Sequence, residues 1–196
     1  DRSWPVSRVL RDRRFHLLLL PILTTPAFLT AIFFHHDAII GWKGWDPLLL
    51  PAGFVVYAAC RAVMSFFSGP LTDRYTAKKI FSWNLVPLTA GIVFLWTSTD
   101  PFWIFFYFAG AGITMGYGMT VGNALYAELY GTNHLGSIRG MVSTAIVFST
   151  AIAPFIMGIC LDAGVDLSLL LGVMTGTALL GILCTCLALR PSSRIA

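Results

Sequence analysis

Charge is scarce in this chain. Only 11% of its 196 residues are Asp, Glu, Lys or Arg, against about 25% in a soluble domain. Its mean hydropathy is +0.77. Together these values exclude a water-soluble globular protein and identify an integral membrane protein. Cysteine is sparse as well. Cys60, Cys160, Cys184 and Cys186 fall in or beside apolar runs, and no Cys-x-x-Cys occurs. They read as small buried hydrophobes. There is no His-x-x-x-His, no Gly-rich Walker loop, no nucleophile elbow and no pair of carboxylates inside an apolar run. Metal hydrolysis, ATP hydrolysis, ester hydrolysis and intramembrane proteolysis therefore lack their groups. The expectation is a protein that is not an enzyme and has no metal and no cofactor.

Long apolar runs are what the chain does have. A helix needs about 20 apolar residues to cross about 30 Å of hydrocarbon. Six runs qualify: Phe15–Phe34, Leu48–Phe67, Ile80–Ser98, Pro101–Ala127, Ile138–Leu161 and Leu167–Leu189. The predicted organisation is a basic cytoplasmic linker over 1–14, a six-helix bundle over 15–189 and a cytoplasmic tail over 190–196. The chain begins at Asp1 and has no signal-peptide pattern near its start, so a piece of a longer protein is expected.

Thirteen Lys and Arg residues set the orientation. The ends and the second and fourth loops hold Arg2, Arg8, Arg11, Arg13, Arg14, Arg74, Lys78, Lys79, Arg139, Arg190 and Arg194. The opposite side holds only Lys43, and Arg61 lies inside the second run. Both termini are therefore expected in the cytoplasm. The net charge of +4 serves topology and anionic lipid headgroups, and it does not imply nucleic acid.

Arg61 is the most informative residue. A charge at that depth costs a few kcal/mol, about 2.5–3.5, unless it faces a cavity or a partner. Tyr57, Arg61, Ser65 and Ser68 share one helix face by spacing. Two readings stand: an anion-binding arginine, or an arginine that snorkels or caps helix carbonyls. The first run carries Pro21, Thr24, Thr25, Pro26 and Thr30, a kinked helix whose threonines re-satisfy freed carbonyls or line a path. The fourth run carries Gly112/Gly116 and Gly118/Gly122, a small-x-x-x-small spacing for close helix packing. Tyr117, Thr120 and Asn123 there are polar enough to orient a solute. The third run, with Trp83, Asn84 and Pro87, reads as scaffold. His35 and His36 at the outer rim are either proton carriers or interface residues.

The densest charge cluster is Gly69-Pro70-Leu71-Thr72-Asp73-Arg74-Tyr75-Thr76-Ala77-Lys78-Lys79, expected as a short hairpin turn. It resembles the loop signature of the major facilitator superfamily, Gly-x-Leu-Ala-Asp-Arg/Lys-x-Gly-Arg/Lys-Arg/Lys. Gly69, Leu71, Asp73, Arg74 and Lys78 fit that signature. Thr76 and Ala77 depart from it, where the family has Gly and a basic residue. Ala127–Gly140 and Ala153–Asp162 resemble the region of helices ten and eleven in bacterial monocarboxylate and oxalate/formate members. In such relatives a membrane arginine lies at the position held here by Ser65, one turn shallower than Arg61.

The resemblance implies an all-α membrane fold. Its six helices form the carboxy-terminal half of a major facilitator, built as two three-helix inverted repeats. The implied function is secondary transport of a small solute by alternating access in a bacterial inner or plasma membrane. An organic anion is the hypothesised solute. Arg61 would be its counter-charge, with Tyr57, Tyr117, Asn123 and Thr25 around it. Gly69, Asp73, Arg74, Lys78, Glu128 and Arg139 would form a conformational latch. The alternative for those charges is a set of exposed topology residues worth little energetically. The expected partners are the substrate, the bilayer, and a missing amino-terminal half or a second copy. A non-transporting receptor or assembly subunit on the same fold is the competing reading.

Overall fold

The computed structural model describes residues 3–190, so Arg2 and most of the predicted tail, including Arg194, lie outside the described residues. Nine helices occur among these residues, and none of the described residues is in a strand. They are α1 (Val6–Val9), α2 (Arg13–Phe34), α3 (His36–Lys43), α4 (Leu49–Tyr75), α5 (Ala77–Phe81), α6 (Val86–Thr97), α7 (Trp103–Tyr130), α8 (Leu135–Asp162) and α9 (Leu167–Leu189). With α5 and α6 taken together, six segments are long and apolar enough to cross a membrane.

Their packing repeats. The second span, α4, lies on the fourth, α7, as the fifth, α8, lies on the first, α2. The third span, α6, also packs on α7, as the sixth, α9, packs on α2. Contact between α6 and α9 joins the two sets. Spans one to three are thus related to spans four to six by exchanging partners. Helices α4 and α8 end at the open rims, and only 6% of each apolar window is buried. The other four spans bury between 33% and 56% of theirs.

Two expectations about the charged turn change. The cluster after Gly69 is helix as far as Tyr75, and the turn itself is Thr76. At 27 residues, α4 is about 40 Å long. It outruns the hydrocarbon, so its last turns carry Asp73 and Arg74 without leaving helical geometry. Pro70 sits inside it, while Thr72 and Ser68 hydroxyls donate to the Ser68 and Ser65 carbonyls at 2.7 and 2.8 Å. Thr76 then adopts φ 61°, ψ 144°, a region that favours glycine.

The third span is not continuous either. Helix α5 ends at Phe81, and the backbone turns through Ser82–Leu85 before α6. Pro87 is the reason, because it has no N–H for the Trp83 carbonyl four residues back. That carbonyl accepts instead from the Val86 N–H at 3.1 Å and from the Tyr117 hydroxyl at 2.9 Å.

The basic segment before α2 packs on the bundle. The Trp4 N–H donates to the Tyr130 carbonyl at 2.8 Å, and the Tyr130 hydroxyl donates to Asp12 Oδ2 at 3.2 Å. Val9 is fully buried among Phe15, Tyr126, Tyr130, Ile138 and Val142. Its arginines, Arg8, Arg11, Arg13 and Arg14, face outward. At the far end of the bundle, Lys43 Nζ donates to the carbonyls of Trp96 and Ser98 at 2.7 and 2.8 Å. A cation there caps the carboxy-terminal end of α6. Burial among these groups lowers the Lys43 pKa. Trp45 is buried and donates to the Thr99 carbonyl at 2.9 Å, so it locks the far-end loops together.

Candidate functional site

Helices α2, α7 and α8 and the Ser82–Leu85 turn line an open-sided cavity of about 180 Å³. Its space comes from missing side chains. An added Cβ at Gly122 would meet nothing within 4 Å, and one at Gly118 would meet only Asn84 Oδ1, at 3.5 Å. The expectation that Gly118 and Gly122 serve close helix packing is therefore corrected, because they open the cavity. Gly112 and Gly116 do pack as expected. A Cβ on either would stand 2.5 Å from the Tyr57 carbonyl oxygen or 2.6 Å from that of Arg61. They seat α4 on α7 at the turn that carries Arg61.

The cavity lining includes Thr25, Asn84, Thr114, Asn123, Arg139 and Ser143. Thr25 Oγ1, Asn84 Oδ1 and Thr114 Oγ1 are buried without a hydrogen-bond partner. Each such atom costs about 1–3 kcal/mol. Three of them around one cavity, from α2, the Ser82–Leu85 turn and α7, make a site suited to a polar occupant. Arg139, near the start of α8, is exposed and contributes to the lining from the basic end of the bundle.

The sequence candidates divide. Thr25 and Asn123 line the cavity. Tyr117 faces the other side of α7, where its hydroxyl is committed to Trp83. Tyr57 and Arg61 stay together on α4. Arg61 Nη1 donates to Tyr57 Oη at 3.3 Å, and the Arg61 side chain is exposed. Ser65 Oγ donates to the Gly116 carbonyl at 2.9 Å, which uses it in the helix contact. Asn84, Thr114 and Ser143 were not singled out as candidates. An amide just ahead of a proline inside an apolar run was the available signal for Asn84.

The proposed latch residues also divide. Glu128 accepts from the backbone N–H of Ala77 at 2.7 Å and of Lys78 at 3.4 Å. The end of α7 thereby caps α5 with a carboxylate, where the helix dipole favours one. Arg74 lies over the Tyr75 ring at 5.3 Å. Asp73 and Lys78 are exposed, and Gly69 lies inside α4. Arg139 belongs to the cavity wall, so Glu128 and Arg139 serve different surroundings.

At the far end, His35 Nδ1 lies 2.8 Å from the Ala31 carbonyl. His36 is buried among Phe33, Phe54, Tyr107 and Phe108, and its Nε2 has no partner. Desolvation pushes its pKa down to about 4, against a smaller upward pull from Asp37. The ring is neutral at ordinary pH.

Among the described residues no three His, Cys, Asp or Glu side chains gather as a metal site. The model of the Major Facilitator Superfamily matches residues 8–195. No curated protein matches the chain.

Proposed function

The chain belongs to the major facilitator superfamily, and we propose that it is the carboxy-terminal half of a secondary transporter that moves a small organic anion by alternating access. The superfamily is one of integral membrane transporters, and six helices packed as two related sets fit half of its fold. The observation that carries the reading is the cavity between α2, α7 and α8, with its three unpartnered polar atoms and one guanidinium. Neutral donors and acceptors orient a solute, and a cation selects an anion.

In this reading Thr25 and Asn123 orient the solute within the cavity and Arg139 is its counter-charge, while Arg61 and Tyr57, together on α4, stand outside the cavity lining. The likeness of Ala127–Gly140 and Ala153–Asp162 to carboxylate transporters favours the same class. The exposed faces of α4 and α8, with Phe66 at 77% and Phe155 at 68%, suit a second six-helix unit. That unit is an amino-terminal half or a second copy of the chain. The basic end, rich in arginine and lysine, faces the cytoplasm. There Asp73, Arg74, Lys78 and Glu128 form the region that opens and closes.

The test is uptake of radiolabelled carboxylates by the native-length protein in membrane vesicles. Arg139→Ala is expected to abolish saturable uptake, and unchanged uptake kinetics would overturn the anion site. Sizing the native protein decides the partner. Under denaturing conditions, a polypeptide about twice the 21.4 kDa of this chain indicates a fused second half, and one at that mass points to a second copy or to a non-transporting role.

A further inference from the structure

A second concavity, of about 270 Å³, lies on the opposite side of α7 from the cavity. Its wall follows Met64, Leu71 and Tyr75 along α4. Those eleven positions span about 16 Å of helix axis, from the apolar part of α4 to its charged end. Ile80 and the buried Tyr117 form the floor, and Trp83, 66% exposed, stands at the side. Lys79 completes the lining. The break that Pro87 imposes at Ser82–Leu85 turns Trp83 out into this position, while Asn84 beside it faces the solute cavity.

Two cations stand at the Tyr75 end of the groove, Lys79 within its lining and Arg74 beside it. Arg74 and Lys79 lie over the same Tyr75 ring, at 5.3 and 5.4 Å. The groove is thus apolar at depth, aromatic at interface level and doubly positive at its end. That sequence of chemistries matches one molecule, an acyl chain followed by an anionic phosphate. We propose that this groove binds a phospholipid with an anionic headgroup, the chain lying along Met64 and Leu71 and the phosphate between Arg74 and Lys79. Charge complementarity decides the occupant. A neutral solute has no use for the cation pair, and a free phosphate has no use for the apolar floor. Placement agrees, because the groove is on the side of α7 turned away from the solute path.

Fluorescence quenching tests the site. The native-length protein is reconstituted in phosphatidylcholine vesicles containing either brominated phosphatidylglycerol or brominated phosphatidylcholine at equal mole fraction. The Trp83 signal is the difference between the native-length protein and its Trp83→Phe variant. Brominated phosphatidylglycerol is expected to quench that signal roughly fivefold more effectively per mole, the scale set by one basic residue at an anionic surface. The double variant Arg74→Gln/Lys79→Gln should lose the preference. Arg8→Gln/Arg11→Gln, on the segment that packs against α8, should keep it. Equal quenching by the two lipids overturns the proposal. So does an equal loss of preference in the Arg8/Arg11 variant, because general surface attraction then accounts for the effect. Inorganic phosphate that relieves quenching without vesicle lipid exchange would assign the cations to a free anion and overturn the lipid site. None of these readouts depends on solute transport.

Discussion

Glu128 Oε1 receives the Ala77 N–H at 2.7 Å, which ties the end of span four to the start of α5 across the turn at Thr76. The carboxylate satisfies one of the unpaired N–H groups that open a helix. Glu128→Ala removes this cap and should cost about 1 kcal/mol. The measurement is thermal unfolding in detergent, and Glu128→Gln should recover part of the loss because its carbonyl still accepts. If Gln and Ala variants melt together at the parent midpoint, the cap contributes nothing.

Thr76 pays for the same turn in backbone strain. Its φ of 61° belongs to a region that costs a non-glycine residue about 1–3 kcal/mol. Thr76→Gly relieves this and loses about 0.5–1 kcal/mol to chain entropy. A net gain of about 1 kcal/mol is expected, seen as a higher unfolding midpoint. The superfamily signature has glycine at this position, and the structure supplies the physical reason. A lower midpoint would mean that Thr76 is not held in this conformation.

The two hydroxyls Tyr117 Oη and Thr25 Oγ1 should behave oppositely on deletion. Tyr117→Phe removes a hydrogen bond to Trp83, at about 1 kcal/mol, and should leave solute affinity unchanged. Thr25→Val removes a buried hydroxyl that has no partner, so stability should hold or rise. Its effect should fall on uptake, as a higher KM. Both variants go through unfolding and uptake assays together, and the reverse pattern would exchange their roles.

How much of this was legible in the sequence depends on what sets each feature. The spans were legible because apolar length alone dictates a crossing. The end of α4 was not, because Asp73 and Arg74 resemble a loop by composition although a helix that overshoots the bilayer carries them equally well. Gly112 and Gly116 were readable as packing residues. Gly118 and Gly122 have identical spacing and do the opposite, since only the neighbouring helix decides whether a missing Cβ is filled or left open. Pairwise contacts were legible where spacing on one helix sets them, as for Tyr57 and Arg61. They were not where two chain regions meet, as for Glu128 with Ala77 or Asn84 with Gly118.

His36 makes stability pH-dependent in a defined window. Its folded pKa is about 4 and the ordinary value 6.5, so between those pH values the unfolded chain binds a proton that the folded chain refuses. Stability therefore rises with pH through this window. The contribution is complete above about pH 6.5 and lost as pH falls towards 4. The linked stabilisation is on the order of 3 kcal/mol. Unfolding midpoints measured from pH 4 to 8 should show this loss in the parent chain. His36→Phe keeps the aromatic cage filled and removes the unpartnered Nε2, so its midpoint at pH 7 should match or exceed the parent's. Its decline below pH 6.5 should be shallower. A proton on His36 at pH 7 requires the cage of Phe33, Phe54, Tyr107 and Phe108 to open, which links any proton coupling there to movement of α4 away from α3. If the parent and His36→Phe curves run parallel across the whole range, the ring is not held neutral by burial, and that link is broken.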